Sequence, residues 1–178
     1  MKTQLVLAIC LALILGSCEN DLAKVRSLKT DEHSPSEVLT DAIVLYSDSA
    51  ILKARLSAPK MEHYIHDEPY VELTEGINLV FYNQYGDITS HLTANYAINF
   101  EKEARLEAKG DVVLINEDGE KLNTEYLIWN QRTEQIYSHV FVKITTADEI
   151  IMGDGFQAHQ SFDKFKISDI HGTILVKE

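Results

Sequence analysis

From Asp41 onward, apolar and polar residues alternate in short runs bounded by turn chemistry. Examples are Asp41–Asp48, Ile77–Asn83, Glu120–Asn130 and Glu134–Thr146. Strict alternation describes a strand with one dry face, because successive side chains point to opposite sides of a sheet. The turns fall at Tyr85-Gly86-Asp87, Glu117-Asp118-Gly119-Glu120, Asn130-Gln131-Arg132-Thr133 and Gln160-Ser161-Phe162-Asp163, with Glu101-Lys102-Glu103 fitting another. Glycine in the first two suits tight hairpins. Helical periodicity is absent from this part of the chain. The pattern predicts about ten strands and an all-β fold.

The runs also resemble one another at a spacing of about 30 to 36 residues. The segment from Ala94 through Gly110 reads alanine, hairpin, glycine, apolar strand, and is matched by Ala158 through Gly172. Between them, Tyr126 aligns with Tyr96, Ile128 with Ile98 and Val142 with Val112. A single hairpin cannot bury its apolar face alone and must stack on its neighbours. One dry and one wet face per strand implies two sheets facing each other, or one sheet folded over.

The first 40 residues differ. An apolar run from Leu5 to Leu15 follows Lys2 and ends in Leu15-Gly16-Ser17-Cys18. Eleven apolar residues are too few for a membrane span, which needs about 20. The segment resembles a bacterial lipoprotein signal, which predicts removal of residues 1–17 and lipidation of Cys18. Residues 18–40 are polar, weakly periodic and include Pro35, as expected of a lipidated tether. The domain is expected over 41–178.

Composition narrows the chemistry. Cys10 and Cys18 are the two cysteines, so the mature chain would hold no internal disulfide. The formal net charge is −12 and no basic run occurs, which argues against nucleic acid, whose binding depends on Lys and Arg. His63 and His66 form an HxxH near Glu62, Asp67 and Glu68, but Pro69 and the extended context favour a solvated turn over a metal site. No nucleophile elbow, phosphate loop or HExxH occurs, so neither cofactor, metal nor catalytic residue is expected. Trp129, flanked by Ile128 and Asn130, reads as a packing residue or groove wall.

Gly110-x-Val112 after a hairpin, Leu122-x-Thr124 leading into Tyr126–Asn130, and Gly153-Asp154-Gly155-Phe156-x-Ala158 together resemble the LptC family. The resemblance spans about Ala42 to Val176, with the early segment Ser47–Pro59 also fitting it. It implies an open, twisted β-jellyroll of two facing antiparallel sheets, built from repeated hairpins. It also implies a periplasmic lipopolysaccharide transport subunit, similar to the LptA-type bridge protein. Such a subunit would take lipopolysaccharide from an inner-membrane ABC transporter (LptB/LptF/LptG-type) and pass it along a hydrophobic groove to an LptA-type bridge. A lipid anchor in the inner membrane follows from the resemblance alone. Many family members carry an uncleaved N-terminal helix where this chain has its lipobox.

Under that reading, strand parity assigns the groove to Leu79, Phe81, Leu92, Tyr96, Ile98, Val112, Leu114, Tyr126, Ile128, Val142, Ile144 and Ile174. An edge strand for partner addition falls on Phe165, Ile167, Ile170, Ile174 and Val176. The groove is expected as a contiguous apolar trough open at both ends. The alternative is an envelope-anchored structural or glycan- or protein-binding β-sandwich lipoprotein, which predicts a closed core. A carboxylate-based hydrolase would instead need a polar cleft.

Overall fold

A computed structural model describes residues 34–65 and 67–175. Among these residues the fold is entirely β, with twelve strands: β1 (Glu37–Asp48), β2 (Ile51–Tyr64), β3 (Tyr70–Leu73), β4 (Ile77–Tyr82), β5 (Ile88–Ala94), β6 (Tyr96–Phe100), β7 (Arg105–Asn116), β8 (Lys121–Asn130), β9 (Gln135–Thr145), β10 (Glu149–His159), β11 (Phe165–Ile167) and β12 (Ile170–Leu175). All pairings are antiparallel and all belong to one sheet. β1 starts at Glu37, so pairing begins four residues before the expected domain boundary at 41. Residues 1–17, expected to be removed, Cys18, expected to be lipidated, most of the expected tether, His66 and Val176 lie outside the described residues.

The topology is an up-and-down meander. β3 and β4 behave as one interrupted strand, as do β5 with β6 and β11 with β12. Asparagine side chains organise three of the turns. Asn83, Asn116 and Asn130 each accept two backbone N–H bonds from residues two to four positions ahead, at 2.9–3.1 Å. This is the Asx-turn chemistry that favours asparagine at a chain reversal.

Each long strand is irregular near its middle, and these irregularities line up into a crease across the sheet. Asp41 has φ 50° opposite Pro59, which has no N–H to donate. Gly110 and Asp111 have φ 75° and 47°, and Asn95 N–H donates to Gly110 O at 2.9 Å. Register shifts follow between Thr124 and Ile128 on β8 and between Asp154 and Phe156 on β10, where Gly155 has φ 85°. An extra residue bends a strand and re-aims the side chains beyond it. The crease divides the sheet into two halves that fold onto each other. Phe81 and Tyr46 from one half meet Trp129 from the other edge-on, at 5.1 and 5.2 Å between ring centroids. One sheet folded over is therefore how this chain forms its facing layers. The buried cluster between them runs from Ala54 and Leu56 through Leu79, Leu92, Leu114 and Leu122 to Ile136, Ile144 and Phe162.

Candidate functional site

The interior contains a cavity of about 240 Å³ at its N-terminal end. Leu39, Val44 and Tyr46 of β1 cover it, and Leu56, Met61, Val71 and Leu73 form its apolar walls. Glu37, His63, Asn99 and Glu101 supply its polar groups. His63 Nε2 lies 3.4 Å from Glu101 Oε1, near enough for an ion pair when protonated but not aligned as a hydrogen bond. Asn99 Oδ1 accepts from Gln131 Nε2 at 2.7 Å. Burial, reinforced by the Glu101 carboxylate, pushes the Tyr46 phenol up to about 12, so it remains neutral at physiological pH. His63 thus belongs to a strand and faces this cavity, not a solvated turn.

Beyond Tyr46 the interior is filled. Trp129 sits between Tyr46 and Phe81, and its indole N–H donates to Gln160 Oε1 at 2.9 Å. The reading of Trp129 as a packing residue agrees with this position. The expected trough, contiguous and open at both ends, is not what the fold contains. Its central residues pack against one another, and a cavity remains beneath β1. A cavity of about 150 Å³ holds one benzene ring, so this space fits a short length of acyl chain and not a whole lipid.

The structure brings seven of the twelve groove residues together. Leu79, Phe81, Leu92, Val112, Leu114, Val142 and Ile144 all belong to the buried cluster. Tyr96, Ile98, Tyr126 and Ile128 lie on the opposite face, and Ile174 is 55 % exposed on β12. The crease is the physical reason for the misplacement. Between Ala94 and Ala97, and again between Thr124 and Leu127, the inward phase shifts by one residue. Parity extrapolated from Leu92 or Leu122 therefore turns the later side chains outward. The alignment of Tyr96 with Tyr126 and Ile98 with Ile128 still holds in space, since β7 pairs each couple through Lys109 and Glu107. On that outer face Tyr96 donates to Glu72 at 3.0 Å, and Lys109 lies over the Tyr126 ring.

Parity missed the cavity lining on β1 and β2, because Leu39 falls in the polar stretch assigned to the tether. The adjacent apolar pair Val38-Leu39 was the available signal.

Two borders of the sheet have no further strand among the described residues. β1 pairs only with β2, and β11 and β12 pair only with β10. On β1, Ile43 and Leu45 point outward and are exposed while Ala42, Val44 and Tyr46 pack inward. At the other border Ile170 and Ile174 are exposed, whereas Phe165 and Ile167 pack against the core. The predicted edge residues therefore divide between an outer face and an anchor.

A folded antiparallel meander with an apolar interior and, among the described residues, two borders that carry no further strand defines the class of fold. Over residues 5–173 the chain matches the family model described as lipopolysaccharide-assembly, LptC-related, and it belongs to that family. Membership makes it a component of lipopolysaccharide transport, of the periplasmic kind associated with the inner membrane. No curated protein sequence matches the chain.

Proposed function

We propose that this chain is a non-enzymatic conduit that takes lipopolysaccharide from an LptB/LptF/LptG-type ABC transporter and hands it to an LptA-type bridge protein. Residues 1–17 would be removed, and a lipid on Cys18 would hold the domain at the inner membrane through a tether. Burying a methylene is worth about 0.8 kcal/mol, so an acyl chain of about a dozen carbons costs about 10 kcal/mol in water. An interior that shelters the chain removes that barrier without a catalytic group. The observation that carries the reading is the largely apolar cavity beneath β1, a border strand paired on one side among the described residues, adjoining the buried rows of both half-sheets. Lipid would be received at the β1 side, and the β11–β12 border would meet the bridge protein.

A photo-crosslinking residue at Leu39, Val44 or Met61 is expected to capture lipopolysaccharide in cells, while one at Tyr126 on the outer face does not. Capture at Tyr126 with none at the three cavity positions would overturn the interior route. Co-purification of the membrane-anchored chain with a transporter and a periplasmic β-jellyroll partner tests the two handovers.

A further inference from the structure

The turn between β10 and β11 enters the interior. Gln160 is 2 % exposed and Phe162 is fully buried, although both lie in a five-residue connection that would ordinarily run over the surface. Four separate parts of the sheet hold it. Ser90 Oγ on β5 donates to Gln160 O at 2.5 Å. Asn116 Nδ2, at the end of β7, donates to Phe162 O at 2.9 Å. Trp129 Nε1 on β8 donates to Gln160 Oε1, and Gln160 N–H donates to Glu134 O in the β8–β9 turn at 2.8 Å. The Phe162 ring packs against Phe156 and Phe165, at 5.7 and 5.5 Å between centroids.

The chemistry of this contact differs from that of the surrounding core. Apolar side chains make up most of the interior, yet here Ser90, Asn116 and Gln160 are buried at one turn. A permanent seal is made best from apolar side chains, because a buried polar group is costly whenever its partner is lost. Hydrogen bonds, by contrast, exchange with water at modest net expense. Three of the four bonds meet at Gln160, and one of these comes from Trp129. Trp129 stands between Tyr46, which lines the cavity, and the turn that grips its indole.

We propose that residues 160–164 form a gate: Gln160 holds Trp129 across the interior, and acyl chains pass from the cavity toward β11 only when this turn withdraws. The proposal rests on the lipid-conducting reading above. Outside, a chain of polar contacts closes the same seam. Lys53 Nζ meets Glu134 Oε1 at 2.8 Å, Glu134 Oε2 meets His159 Nε2 at 3.2 Å, and Ser161 Oγ links His159 Nδ1 to Asp163.

The described residues contain no cysteine, so the gate can be locked in the full-length chain by Ser90→Cys with Gln160→Cys. Photo-crosslinkers at Leu39, before the gate, and at Ile167, beyond it, report lipopolysaccharide in cells. The expected result under oxidation is retained labelling at Leu39 and loss at Ile167, with recovery on reduction. Unchanged labelling at Ile167 with the disulfide formed would overturn the gate while leaving the conduit intact. Absence of labelling at both positions in the reduced chain would overturn the conduit, and the gate with it. If the cysteine pair does not form, Gln160→Leu serves instead, since it cannot accept from the indole. It is expected to speed hydrogen exchange across 160–164 and raise labelling at Ile167 without raising it at Leu39. No change in either quantity would overturn the gate.

Discussion

The two ends of the interior are built from the same alternation of side chains, yet one is hollow and the other is closed. Under β1, Leu39, Val44 and Tyr46 roof a cavity whose far side bears His63, Asn99 and Glu101. At the β10 end, Phe156, Phe162 and Phe165 pack around the turn that carries Gln160. The difference comes from what folds back. The β10–β11 turn brings a buried phenylalanine into the interior, held there by four polar contacts from the sheet, whereas β1 pairs only with β2. Up to the crease a strand's pattern therefore settles which side chains face inward, and the connections settle whether the space between them is filled.

The strongest way to break this contrast is to truncate one residue at each end. Phe162→Ala removes a ring with no exposed surface, and large buried aromatics lose about 3–5 kcal/mol on such truncation. Leu39→Ala removes a side chain that is 42 % exposed over a cavity, and is expected to lose less than about 1 kcal/mol. Denaturant midpoints with an unchanged slope measure both. Equal losses would mean that the hollow end is packed as tightly as the closed one.

Much of this was legible in the sequence because hairpins announce themselves locally. Turns at Gly86, Gly119, Asn130 and Gln160 fall between the strands as expected, and the dry rows Leu79/Phe81, Val112/Leu114 and Val142/Ile144 face inward. What was not legible lies at or beyond the crease. A phase shift of one residue at Asn95 or Glu125 has no compositional mark, yet it reverses Tyr96, Ile98, Tyr126 and Ile128. The buried turn was likewise hidden, since Gln160-Ser161-Phe162-Asp163 reads as any polar surface reversal. Only the tertiary fold brings Ser90, Asn116 and Trp129 to it.

Glycine sharpens the comparison at the closed end. The repeat pairs Gly172 with Gly110, but Gly172 sits in ordinary strand, where an added Cβ would meet only Met152 Cε at 3.9 Å. At Gly153 the same carbon would lie 2.7 Å from Ile167 Cγ2 and 2.8 Å from Ser168 O. β11 and the following turn approach the sheet there because no side chain intervenes. Gly153→Ala is expected to destabilise by about 1–3 kcal/mol, as overpacking typically does. Gly172→Ala should stay within about 0.5 kcal/mol of the parent. A thermal melt of the two variants decides between them, and a larger loss at Gly172 would refute the close approach.

The smallest expected effect concerns the polar seam outside the gate. The hydrogen bond from Lys53 is the first cause holding the Glu134 carboxyl below its usual range, and the charges of Lys53 and the contact with His159 add to it. A carboxylate whose folded-state pKa is depressed contributes stability above its unfolded pKa of about 4.3, and loses that contribution as pH falls through the lower folded value. Acidification from pH 6 toward pH 3 should therefore weaken the parent chain more than Glu134→Gln, in which this group no longer titrates. Glu134 and Lys53 are both partly solvated, so the difference is expected to be below about 1 kcal/mol and to shrink in high salt. The hollow end offers the control. Leu39→Ala touches none of these groups and should follow the parent's pH profile. If Glu134→Gln tracks the parent as closely as Leu39→Ala does, the Lys53–Glu134 contact has no measurable part in closing the seam, and the interior hydrogen bonds of Gln160 and Phe162 do that work alone.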